Sequence, residues 1–184
     1  RNKMIRTLIV GLGWWGRTLV NSVHGKSDKI KICYGLTRTA SEEATIYTES
    51  KGMELLEGNY SDVIQGLNIE AVILATPHSQ HPEQVKIASK YGKHIACEKP
   101  FTLNRRDAIS TIADVEKNGV TLSVLYNRRF NPIVTEIQKL IKTGKLGTII
   151  HLESNFSGDT ALRLMKDKTS WRLNPDESPL GSMT

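Results

Sequence analysis

The sequence is poor in cysteine: Cys33 and Cys97 are its only two thiols in 184 residues, and no C-x-x-C pair occurs. That spacing excludes the usual zinc-ribbon and dithiol sites. Both cysteines fall inside predicted strands and read as buried thiols of a protein in the reducing cytoplasm. No apolar run approaches the roughly 20 residues that a bilayer-spanning helix needs, and there is no low-complexity tract. The opening RNKMIRTLIVG is basic and then apolar, as a leader would be. It has no small-residue cleavage site and runs straight into a glycine turn, so it reads as a first strand, with Met4 the expected initiator. Nor is charge of one sign concentrated anywhere. The net charge is +6, but Lys and Arg are spread among acids and are not interleaved with aromatics. This argues against a nucleic-acid partner and suits a solvated surface that meets an anionic cofactor.

What is present is alternation. Short, β-branched apolar runs at Ile5–Val10, Lys31–Leu36, Ala71–Ala75, His94–Cys97 and Thr121–Tyr126 predict strands covered on both faces. Helices are predicted between them, at Trp15–His24, Ser41–Ser50, Pro82–Tyr91 and Asn104–Asn118. Asn104 is placed as an N-cap, and Gly92 and Gly119 stand where helices end. Strand–helix alternation implies right-handed crossovers and a parallel, doubly wound α/β sheet. After Tyr126 the pattern changes. A connector, NRRFNP, leads to a helix at about Pro132–Thr143, and TIIHLESNFSG is expected to begin a long strand. We place a boundary at Asn127, giving domains 1–126 and 127–184, the second too small to cover its own strand.

The stretch TLIVGLGWWGRTLV puts Gly11, Gly13 and Gly16 in a G-x-G-x-x-G spacing between a strand and a helix. Such glycines allow a tight turn, a close backbone approach to a pyrophosphate, and close helix–strand packing. The phosphates would then sit at the N-terminus of the following helix, near Leu12 and Gly13. Trp14 and Trp15 would cover the cofactor or meet the second domain, or else pack into the core. At the tip of the second strand, an NAD site usually places an acid on the ribose 2′-hydroxyl. Here the tip reads LTRTASE, without that acid. Thr37 and Arg38, with Thr39 or Ser41, suit a 2′-phosphate, so NADP is the expected cofactor and NAD the alternative.

Leu74 to Phe101 carries the chemistry. Ala75, Thr76, Pro77 and His78 follow one strand and Glu98, Lys99 and Pro100 the next, on the edge where open parallel sheets bind ligands. His78 and His81 have no third ligand beside them, so we assign no metal and place them at the cofactor rim.

Taken together, the glycine turn, ATPHSQHPE, GKHIACEKPF, YNRRFNP and SWRLNPDESPLGS resemble the Gfo/Idh/MocA family of NAD(P)-dependent oxidoreductases of sugars, inositols and related polyols. The resemblance implies a Rossmann domain followed by an α+β substrate domain built on an open sheet. It also implies that Glu98 contacts the nicotinamide ribose region and that Lys99 is the catalytic lysine beside the substrate oxygen. Pro77 and His81 would line the cofactor, Asn127 would lie near the nicotinamide, and Trp171 and Arg172 would contribute from the second domain. An ammonium at Lys99 would stabilise alkoxide character as hydride leaves carbon, and burial would suit it to proton transfer. A cis Lys99–Pro100 bond would set its direction.

Family enzymes carry a D-x-x-x-H arrangement shortly after a segment like WR. This sequence ends at SPLGSMT, where that arrangement would begin, and His151 lies upstream of it. The expectation is an incomplete chain without the proton-accepting histidine, inactive by itself and part of a homo-oligomer when full length. Two other readings stay open: a non-catalytic dinucleotide sensor, and a stand-alone dinucleotide-binding module.

Overall fold

A computed structural model of the chain describes residues 4–155, 157–159, 162, 166 and 170–179. The chain divides into two compact units between Val124 and Leu125. In the first, β1 (Ile5–Val10), α1 (Trp14–Val23), β2 (Ile30–Thr37), α2 (Glu42–Ser50), β3 (Glu54–Glu57) and α3 (Tyr60–Gly66) are followed by β4 (Ala71–Leu74), α4 (His81–Lys90), β5 (His94–Cys97), α5 (Arg105–Lys117) and β6 (Leu122–Val124). The six strands form one sheet in the order β3-β2-β1-β4-β5-β6, and every neighbouring pair is parallel. All carboxyl ends therefore share one edge, and the order reverses between β1 and β4. That reversal is where an open parallel sheet opens a crevice for a ligand.

Both faces of the sheet are covered. Leu8 and Val10 of β1 enter one buried cluster, with Leu36, Val72, Leu74, Val85 and Ile95. Ile9 enters the other, with Leu12, Val20, Ile32 and Met53. This is the period-two alternation of a strand buried on both sides, and each fully buried aliphatic side chain contributes about 1.5–3 kcal/mol. Polar caps fix the helix ends. Ser41 Oγ accepts from Ala44 N at 3.2 Å and Asn104 Oδ1 accepts from Asp107 N at 2.9 Å. Gly92 and Gly119 take φ of +68° and +64° just past α4 and α5, a conformation that costs a residue with a Cβ.

Three expectations need correction. The sequence reading omitted β3 and α3, which fill the crossover between β2 and β4. Cys33 is half-buried, whereas Cys97 is buried as expected, because Cys33 sits on β2 near a sheet border closed only by a four-residue strand. The expected long strand after Gly147 is not formed: residues 148–155 carry no strand, and Ile150 and Leu152 are 94% and 76% exposed. A strand needs a neighbour to satisfy its backbone groups, and none pairs with this segment among the described residues. The second unit does hold α6 (Pro132–Lys142), with Asn131 Oδ1 accepting from Ile133 N at 2.9 Å. Among the described residues no helix is long and apolar enough to cross a membrane.

Candidate functional site

The glycine turn closes against β2 and β4. Gly11 N donates to Leu36 O at 3.0 Å. Gly11 takes φ +93°, and a Cβ there would stand 2.6 Å from Ala75 O. A Cβ on Gly16 would stand 1.9 Å from Gly11 O, so this glycine lets the first turn of α1 pack beneath the loop. Gly13 is the opposite case: exposed, with φ −65° and ψ 179°, and with nothing within 4 Å of an added Cβ. It is the N-cap of α1, a ten-residue helix with no capping side chain and no acid in its first turn. Uncapped amides at the positive end of a helix, opening onto clear space, fit a pyrophosphate.

Trp14 is 77% exposed, and its ring lies 5.4 Å from that of Trp15 at 41°. Trp15 is half-buried, and its Nε1 is enclosed with no partner among the described residues. Neither ring belongs to the two core clusters. One residue of this region escaped the sequence reading. Arg17 Nε donates to Leu12 O at 2.8 Å, its guanidinium pairs with Glu43 of α2, and it lies 5.2 Å over the Tyr47 ring. Arg17 thereby braces the glycine turn against α2, and its position beside the third glycine was the available signal.

At the tip of β2, Thr37 Oγ1 is enclosed and lacks a partner among the described residues, while Arg38 and Thr39 are exposed. Ser41 is engaged in capping α2, so Thr37, Arg38 and Thr39 are the polar side chains left at this tip. A second feature appears only in three dimensions. Glu57, exposed on β3, stands opposite Thr37 in the parallel register, so an acid reaches this edge from the neighbouring strand.

The β4 and β5 loops are pinned in the same way. Ala75 N donates to Val10 O and Glu98 N to Leu74 O, each at 2.9 Å. Thr76 Oγ1 donates to Gln84 Oε1 at 2.6 Å. His78 is buried, in a short turn at His78–Gln80 that begins after Pro77. His81 does not line a cofactor surface as expected. It is fully buried, with Nδ1 2.8 Å from Pro100 O and Nε2 3.0 Å from Thr76 O.

Glu98 is 8% exposed. Its Oε2 accepts from Lys99 N at 3.2 Å, and Oε1 is enclosed without a hydrogen-bond partner among the described residues. An orphaned buried carboxylate oxygen at this edge fits a ribose hydroxyl, which would satisfy it. The Lys99–Pro100 peptide is cis. Lys99 itself is exposed, and the burial expected of it is not found. Burial, reinforced by the neighbouring Glu98, pushes the Cys97 thiol up to about 12. Burial likewise holds the Tyr60 phenol far above its ordinary range. A thiol so rarely ionised is no nucleophile.

Asn127, Trp171 and Arg172 belong to the second unit. Asn127 is exposed at the start of a short turn, Asn127–Phe130. The Arg172 guanidinium stacks 4.4 Å over the Trp171 ring.

Residues 5–126 match the family model described as "Oxidoreductase family, NAD-binding Rossmann fold", that of the Gfo/Idh/MocA proteins. The chain is 30% identical over 151 residues to a scyllo-inositol 2-dehydrogenase (NAD+) of Bacillus subtilis, covering 80% of this chain and 43% of that protein. It is 28% identical over 133 residues to a D-xylose 1-dehydrogenase (NADP+) of Haloferax volcanii, covering 72% and 39%. Among solved structures it is similar to a scyllo-inositol dehydrogenase from Lactobacillus casei with bound NAD(H) and scyllo-inositol. That match has a TM-score of 0.75 and 26% identity, over 80% of this chain and 43% of that one. The chain thus spans about two fifths of the length of these relatives.

Proposed function

Because the chain belongs to the Gfo/Idh/MocA oxidoreductase family, we propose that it forms the cofactor side of an NADP(H)-linked dehydrogenase, one acting on a secondary alcohol or ketone of a sugar- or polyol-like substrate. The observation that carries this reading is the open space at Gly13, at the uncapped end of α1, on the sheet edge that also presents Glu98 and Lys99. β1 and β5 are separated only by β4, so the glycine turn and Lys99 are roughly 10 Å apart across the edge.

The bound dinucleotide would supply the hydride donor or acceptor. Amides at Gly13 to Gly16 hold its pyrophosphate. Glu98 Oε1 accepts from a hydroxyl of the nicotinamide ribose, and Ala75, Thr76 and Pro77 form the floor between. The Lys99 ammonium donates to the reacting oxygen and stabilises negative charge there. By the family resemblance, Asn127 would lie near the nicotinamide, and Trp171 and Arg172 would contribute to cofactor binding from the second unit. Dehydrogenase relatives that take inositol and xylose support a small polyhydroxylated substrate.

Thr37 and Arg38 support NADP, through charge-assisted bonds to a 2′-phosphate. Glu57 favours a second reading, NAD, if its carboxylate reaches the 2′-hydroxyl instead. Titration of the chain with NADPH and with NADH, followed by tryptophan fluorescence, separates the two. NADPH is expected to bind more tightly, and Arg38→Ala to weaken it about tenfold while leaving NADH unchanged. Tighter NADH overturns the assignment to Arg38 in favour of Glu57, and binding of neither overturns the dinucleotide reading.

A further inference from the structure

His81 is the least expected feature of this edge. It is fully buried, and both ring nitrogens face backbone carbonyl oxygens, Pro100 O at 2.8 Å and Thr76 O at 3.0 Å. A carbonyl only accepts. A neutral imidazole has one N–H and one lone pair, so in either tautomer a lone pair would be directed at a carbonyl oxygen within hydrogen-bonding distance. Only the doubly protonated ring satisfies both contacts.

The two carbonyls belong to the two loops of the site. Thr76 follows Ala75, whose carbonyl lies against Gly11 closely enough to exclude a Cβ there. Pro100 follows Lys99. Thr76 is held twice by α4, through its carbonyl by His81 and through its hydroxyl by Gln84. A continuous line of contacts therefore runs from the glycine turn through Ala75, Thr76 and His81 to Pro100 and Lys99.

We infer that His81 is the positioning residue of this site: a buried imidazolium whose two N–H groups staple the Thr76 loop to the Pro100 loop, holding the glycine turn and Lys99 in one fixed relation. A buried cation needs a compensating charge, and the Pro100 loop carries one in Glu98, itself buried. The ionisable side chains on the elements that hold His81 are His78, whose ring lies 5.9 Å away, Glu98 and Lys99 on the Pro100 loop, and Glu83, Lys86 and Lys90 on α4 itself. The inference rests on the dinucleotide reading for its functional consequence, but not for the protonation state.

Two measurements test it. In the chain labelled with ¹⁵N-histidine, both ring nitrogens of His81 are expected to show one-bond N–H couplings at neutral pH. A single protonated ring nitrogen overturns the staple. NADPH is then titrated into His81→Ala and His81→Gln. Alanine is expected to weaken binding about tenfold with melting still cooperative, and glutamine, which keeps two amide N–H donors, to stay within about threefold of the parent. Folded alanine variants that bind like the parent, or a glutamine variant as weak as alanine, overturn the positioning role. If the parent chain itself binds no dinucleotide, the functional reading fails, while the nitrogen spectrum still decides the protonation state.

Discussion

Gly16→Ala is expected to destabilise the first unit by about 3 kcal/mol, or roughly 10 °C in melting temperature for a domain of this size. Helix propensity alone predicts the reverse, because alanine in place of glycine inside a helix gains about 1 kcal/mol. Packing decides the sign. The new Cβ would stand 1.9 Å from Gly11 O, and both sides of that contact are backbone. Relief requires either α1 to move off β1 or the glycine turn to open. Gly11 lacks freedom to yield, because its own α-carbon lies against Ala75 O and its N–H is bonded to Leu36 O. Thermal or urea unfolding of the variant checks this. A variant at least as stable as the parent would mean that the turn and helix are not packed as described.

Gly13→Val is expected to have the complementary effect: a stability loss of no more than about 1 kcal/mol, from the poorer N-cap, and a loss of dinucleotide affinity of about a hundredfold. Gly13 has extended backbone angles that a β-branched residue adopts readily, and no atom lies within 4 Å of its added Cβ. The fold therefore resists the substitution only through the N-cap preference for glycine over valine. The space is needed only by a ligand. A valine there holds the pyrophosphate away from the α1 amides, and the loss of one or two charge-assisted hydrogen bonds accounts for a hundredfold change. Parallel calorimetric melting and NADPH titration check it. A valine variant that binds like the parent would show that no ligand approaches the turn at Gly13. The two glycines thus separate what the fold needs from what the cofactor needs, and the spacing alone does not.

Much of this arrangement is legible in the sequence because it rests on local chemistry. β1 and β5 match their apolar runs, and the helix ends follow from Ser41, Asn104, Gly92 and Gly119. The stretch from Glu54 to Gly66 was less legible for a physical reason. β3 is a four-residue border strand, ELLE, half-buried and flanked by acids, and α3 has seven residues. Both take their structure from packing against β2 and α4 rather than from their own periodicity. The strand expected after Gly147 shows the converse, since apolar, β-branched residues without a partner do not make a sheet. In the candidate site, Gly11, Gly13, Gly16, Glu98 and Lys99 take their proposed roles from their places in motifs. The roles of Arg17, Glu57 and His81 depend on residues distant in sequence: Glu43 for the first, Thr37 for the second, and Pro100 for the third. From the sequence His81 reads as part of the cofactor rim, and its burial between two carbonyls is seen only in three dimensions.

Amide hydrogen exchange of the chain with and without saturating NADPH tests the central claim most directly. Binding across the switch point between β1 and β4 predicts slowed exchange in two places together, the Leu12–Arg17 turn and the loops at Thr76–His78 and Glu98–Lys99. Bound NADPH that leaves the Leu12–Arg17 amides unprotected, or that protects only a surface such as the groove between α4 and α5, would contradict it.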